Sequence, residues 1–154
     1  MMLEPLKTII EQHAITIITG SICTGKSWLL NQYENDGFFI DNSDKAMEKG
    51  QADITIHQIE AAIESGKSFV CLDESQLYSP NQIVELSKRV IAKNRKVLIA
   101  CQDEHNVPFS ELFVVCKDEM VSVLAQVDLK GWDTERHQPE SFSLKTLQVD
   151  LERL

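Results

Sequence analysis

The sequence predicts an α/β fold in which helices flank a mainly parallel sheet of about five strands. Short β-branched apolar runs alternate with segments of helical periodicity, and glycine or proline marks several junctions. The 154 residues, 43% hydrophobic and 25% charged, fit one soluble domain over residues 1–154. Strands that alternate with helices favour a parallel sheet, and parallel sheets bind ligands at the carboxyl ends of their strands.

Four buried strands and three helices are predicted in the first two thirds of the chain. The strands are residues 14–19, 38–40, 68–72 and 96–101. The helices are residues 26–34, 55–65 and 81–93, with Gly66 ending the second and Ser79-Pro80 opening the third. Apolar residues at helical spacing are expected to face the core: Ile56, Ile59, Ala62 and Ile63 in the second helix, and Ile83, Leu86, Val90 and Ile91 in the third.

The last third of the chain is harder to interpret. Residues 112–116 are apolar but fit either a helix or a strand. Residues 120–129 alternate, with Val121, Val123, Ala125 and Val127 on one face, which predicts a fifth strand suited to a sheet edge. We expect a core over about residues 14–128 and a polar tail over about 130–154, where Leu144, Leu147 and Leu151 predict a short terminal helix.

The charge of the chain disfavours sequence-independent binding of nucleic acids. The net charge is −9, and an acidic surface repels phosphates. One basic cluster is the exception: Lys88, Arg89, Lys93, Arg95 and Lys96. We interpret it as a solvated helix end, with a nucleic-acid patch or an arginine supplied to a neighbour's nucleotide as alternatives.

Targeting signals and metal clusters are not evident in the sequence. No apolar run approaches the roughly 20 residues of a membrane helix, and the first residues, with Glu4 and Glu11, lack a signal pattern. We therefore expect a cytoplasmic protein. The four cysteines form no C-x-x-C pair and the four histidines have no metal-like spacing. Cys71, Cys101 and Cys116 lie in apolar runs and are expected to be reduced and buried.

The strongest motif is Gly20-Ser21-Ile22-Cys23-Thr24-Gly25-Lys26-Ser27, which matches the Walker A pattern G-x-x-x-x-G-K-[ST]. Backbone N–H groups of such a loop wrap around phosphates, so all eight residues are predicted to bind nucleotide. Lys26 is expected to reach the β- and γ-phosphates, and the Ser27 hydroxyl to bind Mg²⁺. Thr24 fits two roles, a phosphate contact or a small residue that the loop requires.

The second motif is an apolar strand that ends in Asp73-Glu74, the Walker B pattern. Asp73 is predicted to serve Mg²⁺, and Glu74 to act as a general base beside the γ-phosphate. The fourth strand ends at Gln102, which is predicted either to contact the γ-phosphate or the attacking water, or to be an ordinary turn residue.

These segments resemble the thymidine kinases with a recombinase-like P-loop core. Asp73-Glu-Ser-Gln76-Leu is similar to their D-E-x-Q-F segment, Gly20 to Ser27 to their G-P-M-x-S-G-K-S, and Asp103 with Pro108-Phe109 to a later segment. The resemblance covers roughly residues 14–128 and implies Glu74 as base for an acceptor hydroxyl, with Lys26 on phosphates. The chain departs from the family in two places. Leu77 stands where the family has phenylalanine, and residues 130–139 contain none of the cysteines that hold the family's zinc-bound lid.

Three functions remain open from the sequence. The first is an Mg²⁺-dependent ATPase or ATP-driven switch that acts with a partner or by self-association. The second is a kinase for nucleosides or other small molecules, whose water-excluding lid must come from residues 41–53 or 130–141. The third is an interaction domain that binds nucleotide without turnover. The absence of an N-K-x-D element favours ATP over GTP.

Overall fold

The computed structural model describes residues 3–21, 24–42, 52–102, 105, 107–118 and 123–148. Its strands are β1 (Ile15–Thr19), β2 (Gly37–Ile40), β3 (Phe69–Leu72), β4 (Lys96–Cys101), β5 (Val123–Asp133) and β6 (Gln138–Gln148). Its helices are α1 (Leu3–Gln12), α2 (Lys26–Asn31), α3 (Ile56–Glu64), α4 (Pro80–Ile91) and α5 (Phe109–Asp118), and a 3₁₀ turn covers Ser75–Leu77.

The six strands form one sheet in the order β2-β3-β4-β1-β5-β6. All neighbouring strands are parallel except β5 and β6, which form an antiparallel hairpin. Strand β1 is central, because Ile15 pairs with Val97 of β4 on one side and with Leu124 of β5 on the other. The carboxyl ends of β1, β4 and β3 therefore lie side by side at one edge of the sheet.

Hydrophobic cores cover both faces of this sheet, so all five residues of the central strand β1 are buried, Thr16 and Thr19 included. Ile15 and Ile17 belong to the core under α3, α4 and α5, whereas Ile18 belongs to the core under α1 and α2. Both cores need large side chains from β1, and all three of these isoleucines are fully buried. A fully buried central strand fixes the position of the loop that follows it.

The helix boundaries follow the expected local chemistry. Thr55 caps α3 through a hydrogen bond that its side chain accepts from the N–H of Gln58, and Gly66 follows the helix with φ +73°. Ser79 caps α4, whose first residue is Pro80. In α3, however, Ile56 is 61% exposed, so its predicted inward position is wrong. It lies in the first turn, outside the stripe formed by the buried Ile59 and Ala62.

The C-terminal third departs most from the sequence-based expectations. Strand β5 is not at an edge, since it lies between β1 and β6. The predicted polar tail with a terminal helix is wrong for residues 138–148, which form β6 and bring the sheet to six strands rather than five. Leu144 pairs with Val127 of β5, and this cross-strand pairing overrides the local helical spacing. Residues 112–116 lie in α5. Val121 and Leu151 lie outside the described residues.

The three cysteines that the structure describes, Cys71, Cys101 and Cys116, are buried and form no disulfide, as predicted. Within the described ranges, no helix combines the length and the apolar character that a membrane crossing needs.

Candidate functional site

The loop after β1 closes tightly upon itself. Thr24 is buried and its Oγ1 donates a hydrogen bond to the carbonyl oxygen of Ser21 at 2.8 Å. A Cβ atom on Gly20 would lie 2.4 Å from Thr24 Oγ1 and 2.8 Å from the carbonyl oxygen of Leu129, so only glycine fits there. This hydrogen bond closes the loop, and both roles given to Thr24 from the sequence stay predictions. Ile22 and Cys23 lie outside the described residues.

Lys26 places a buried positive charge inside this loop. The residue is only 8% exposed, and its Nζ donates to the carbonyl oxygens of Gly20 at 2.7 Å and Ser21 at 2.9 Å. No carboxylate within the described part of the chain forms an ion pair with it; the pair recorded there joins Arg136 and Asp133. Burying an ammonium without a counter-charge is costly, so this position favours an anion.

Ser27 and Asp73 meet across the gap between the two Walker motifs. Ser27 Oγ donates to Asp73 Oδ2 at 3.3 Å, although the two residues are 46 positions apart. Asp73 also accepts the N–H of Glu74 at 2.8 Å. Burial raises the pKa of the Asp73 carboxyl, while the N–H of Glu74 acts in the opposite direction and lowers it. A hydroxyl and a carboxylate oxygen are the kind of ligands that Mg²⁺ prefers.

Glu74 lies at a bend that few residues adopt. Its φ of 52° is left-handed, an uncommon conformation for a residue with a side chain. Its carboxylate accepts a hydrogen bond from Nε2 of Gln76, in the 3₁₀ turn that follows. The strained backbone and this side-chain contact together fix Glu74 directly after the strand-end Asp73.

These side chains line one cleft of about 600 Å³. Its lining comprises Gly25, Lys26, Ser27, Trp28, Asp73, Glu74, Gln102 and Trp132. The structure thus brings together Lys26 and Ser27 of the loop, Asp73 and Glu74 after β3, and Gln102 after β4. Gln102 reaches the cleft because β4 lies between β1 and β3 in the sheet.

Trp132 is the lining residue that sequence reasoning missed. A Cβ on Gly25 would lie 2.8 Å from Trp132 Cζ3 and 2.8 Å from Pro139 Cγ. The hairpin of β5 and β6 therefore rests directly on the Walker A loop, which we call the phosphate loop after its predicted role. Gly131, with φ +70°, precedes the tryptophan. The polar residues 134–137, which form the turn between β5 and β6, were the sequence signal for a hairpin. The expectation of a polar tail from residue 130 led to a different interpretation of them.

A second, polar cleft of about 590 Å³ adjoins the first, and Gln102 lines both. The polar cleft is also lined by Gly20 and Ser21 of the loop, and by Asp128 and Lys145. Thr19 Oγ1 donates to Asp128 Oδ1 at 3.0 Å, which holds this carboxylate beside the end of β1.

The basic cluster lies away from these clefts, at the opposite edge of the sheet where β4 begins. Arg95 donates through Nη1 to the carbonyl oxygens of Ile63 at 2.7 Å and Lys67 at 3.3 Å, and so caps the end of α3. Lys88 and Arg89 lie in the last turn of α4, as expected for a solvated helix end. Within the described ranges, no group of three or more His, Cys, Asp or Glu could hold a metal ion.

The sequence matches no protein-family model and no curated protein. The structure does resemble solved ones. A Walker-type ATPase of Pyrococcus abyssi matches at TM-score 0.50 and 16% identity, over 74% of this chain and 47% of that one. A DNA polymerase III gamma-subunit-related protein of Thermotoga maritima matches at TM-score 0.50 and 16% identity, over 87% of this chain and 47% of that one.

The chain thus covers about half the length of these two solved structures. At this identity the likeness concerns the fold, and a resemblance to thymidine kinases is not among these findings. The chain has the α/β fold of P-loop ATPases, with a mostly parallel sheet of six strands flanked by helices.

Proposed function

We propose that this protein binds ATP with Mg²⁺ and hydrolyses it, as an ATPase or an ATP-driven switch that acts with a partner or a second copy. The observation that carries the proposal is the ammonium of Lys26, which is buried inside the loop and donates to two carbonyl oxygens, with no carboxylate partner among the described residues. Phosphate oxygens provide the counter-charge that this group lacks. When nucleotide binds, the ammonium of Lys26 replaces its two neutral carbonyl partners with a charged phosphate oxygen.

Ser27 and Asp73 fit a site for Mg²⁺ because two oxygen ligands of the right kind already lie 3.3 Å apart. Mg²⁺ held by these two residues would supply positive charge that neutralises phosphate oxygens. The raised pKa of Asp73 supports this assignment, since a desolvated carboxylate gains from a nearby positive charge.

Glu74 is the residue we assign to proton transfer. It lines the same cleft as Lys26 and Ser27, and its carboxylate can accept a proton from water near the γ-phosphate. The contact from Gln76 holds the carboxylate at the cleft rather than in bulk solvent. Gln102 lines the same cleft, and we assign it to orienting the nucleophile.

The test combines calorimetry with a phosphate-release assay. Lys26→Ala should weaken binding of ATP with Mg²⁺ strongly, whereas Lys88→Ala, which removes an exposed lysine at the far edge, should not change it. A folded Lys26→Ala protein with wild-type affinity would refute the phosphate-loop assignment.

Glu74→Gln retains the shape of the side chain and removes its basicity. It should bind ATP as the wild type does and release phosphate at least about tenfold more slowly, because positioned proton transfer contributes roughly 100- to 10,000-fold. Wild-type turnover in the variant would instead favour Gln102 as the residue that acts on the nucleophile.

Transfer of phosphate to a small acceptor is a second candidate function. The polar cleft beside Gln102 supports it, because a molecule held by Asp128 and Lys145 would lie next to the phosphate loop. Adding a panel of nucleosides to the phosphate-release assay, followed by product analysis, separates the two functions. A phosphorylated product identifies a kinase, and free phosphate alone identifies an ATPase.

A further inference from the structure

The hairpin of β5 and β6 extends past the end of the strand that carries the phosphate loop. Strand β1 ends at Thr19, which pairs with Asp128, while the pairing between β5 and β6 continues to Asp133 and Gln138. The protruding part turns its opposed pair, Trp132 and Pro139, toward Gly25. An aromatic ring is therefore held against the residue next to the phosphate-binding Lys26.

The cleft has a charged end and an aromatic wall. Lys26, Ser27 and Asp73 provide the charged and polar groups for phosphate, whereas Trp132 and Trp28 provide flat apolar surface. Both tryptophans of the chain lie here, and both are partly exposed. A triphosphate has no planar group that could stack on an indole ring, whereas the heterocyclic base of a nucleoside triphosphate is such a group.

Stacking distinguishes bases by the size of their faces and not by their edges. Among the described lining residues, the charged and amide side chains lie around the phosphate loop and the ends of β3 and β4. They are Lys26, Asp73, Glu74 and Gln102. The aromatic wall thus offers the base a surface and little hydrogen-bond readout, so the larger purine ring gains most from it.

We propose that Trp132 is the surface on which the base of the bound nucleotide stacks, and that the site takes purine nucleoside triphosphates with little discrimination between adenine and guanine. This inference rests on the proposed nucleotide-binding function. It adds a specificity-determining residue that neither Walker motif contains.

Calorimetry with four ligands in the presence of Mg²⁺ tests it: ATP, GTP, CTP and inorganic tripolyphosphate, which has no base. In the wild type, ATP and GTP should bind within about threefold of each other and more tightly than CTP. Trp132→Ala should weaken ATP binding roughly 5- to 150-fold and leave tripolyphosphate binding unchanged. Trp132→Phe, which keeps a ring, should retain most of the ATP affinity. Phe39→Ala, an exposed aromatic on β2 outside the cleft, is the matched control and should match the wild type.

Intrinsic fluorescence provides a readout that does not require the alanine variant to fold. Trp28→Phe leaves Trp132 as the sole tryptophan of the chain. Its emission should be quenched on addition of ATP or GTP and unchanged on addition of tripolyphosphate.

The outcomes separate the two proposals. Suppose that tripolyphosphate binds the protein. Unaltered ATP affinity in Trp132→Ala, or no quenching in Trp28→Phe, would then overturn the stacking proposal and leave the phosphate-loop assignment intact. Equal weakening of ATP and tripolyphosphate in Trp132→Ala also overturns it, since the residue would then support the loop. If neither ligand binds the wild type, the proposed function fails and the stacking fails with it.

Discussion

The contact between the hairpin and the phosphate loop is open to a direct test through Gly25→Ala. Gly25 has φ +96°, and a left-handed conformation costs a residue with a Cβ about 1–2 kcal/mol. The new methyl group would also lie 2.8 Å from both Trp132 and Pro139. Carbon atoms prefer about 3.5–4.0 Å, so the hairpin or the loop must move by roughly 1 Å.

The chain contains a matched control for the backbone part of this cost. Gly66 has a similar positive φ, +73°, but a Cβ there would meet nothing within 4 Å. Gly66→Ala should therefore show only the backbone cost, whereas Gly25→Ala adds about 1–3 kcal/mol for overpacking. For a chain of this length, 1 kcal/mol corresponds to about 2–4 °C in Tm.

Thermal unfolding followed by circular dichroism measures the difference. Gly25→Ala should melt about 2–12 °C below Gly66→Ala. Effects on the unfolded chain are alike for the two substitutions and cancel in the comparison. Equal melting temperatures would refute the inference that the hairpin rests on the loop.

Two further predictions concern the carboxylates of the cleft. Because burial raises the pKa of Asp73, its ionised form is disfavoured in the folded state, and its contribution to stability is lost as pH rises through that pKa. Asp73→Asn should therefore raise the free energy of unfolding of the nucleotide-free protein at pH 7, measured in urea, and this gain should vanish below the unfolded pKa of about 3.9. A destabilised variant at pH 7 would contradict the sign. Gln76→Ala removes the donor that holds the Glu74 carboxylate, so kcat for ATP hydrolysis should fall roughly tenfold or more, while the Kd for ATP from calorimetry stays unchanged. A matching rise in Kd would mean that the turn itself has lost its structure.

Local signals made the position of the loop between β1 and α2 predictable from sequence. The β-branched run before Gly20, the loop spacing and the following helix are all encoded within a few residues, and the strand that ends at Asp73 is similarly local. Gln102 lies beside both motifs because β4 lies between β3 and β1, so its position follows once the strand order of the sheet is known.

The hairpin was not predictable in the same way, because its structure depends on partners distant in sequence. Leu144 and Leu147 have helical spacing, yet Leu144 pairs with Val127 across the hairpin. The contact of Trp132 with Gly25 results from that pairing, and no spacing in the sequence indicates it. Tertiary pairing decides strand formation more strongly than local propensity does.

The central position of β1 has a consequence for the order in which the protein folds. Its pairing partners are Val97–Cys101 on one side and Leu124–Asp128 on the other, so both are synthesised long after Ile15–Thr19. Contacts of such long sequence separation form slowly. The loop that follows β1 is thus synthesised before β4 and β5, and β1 completes its pairing only when β5 has emerged. Until then β1 has unpaired backbone groups along its edges, which are templates for pairing with other chains.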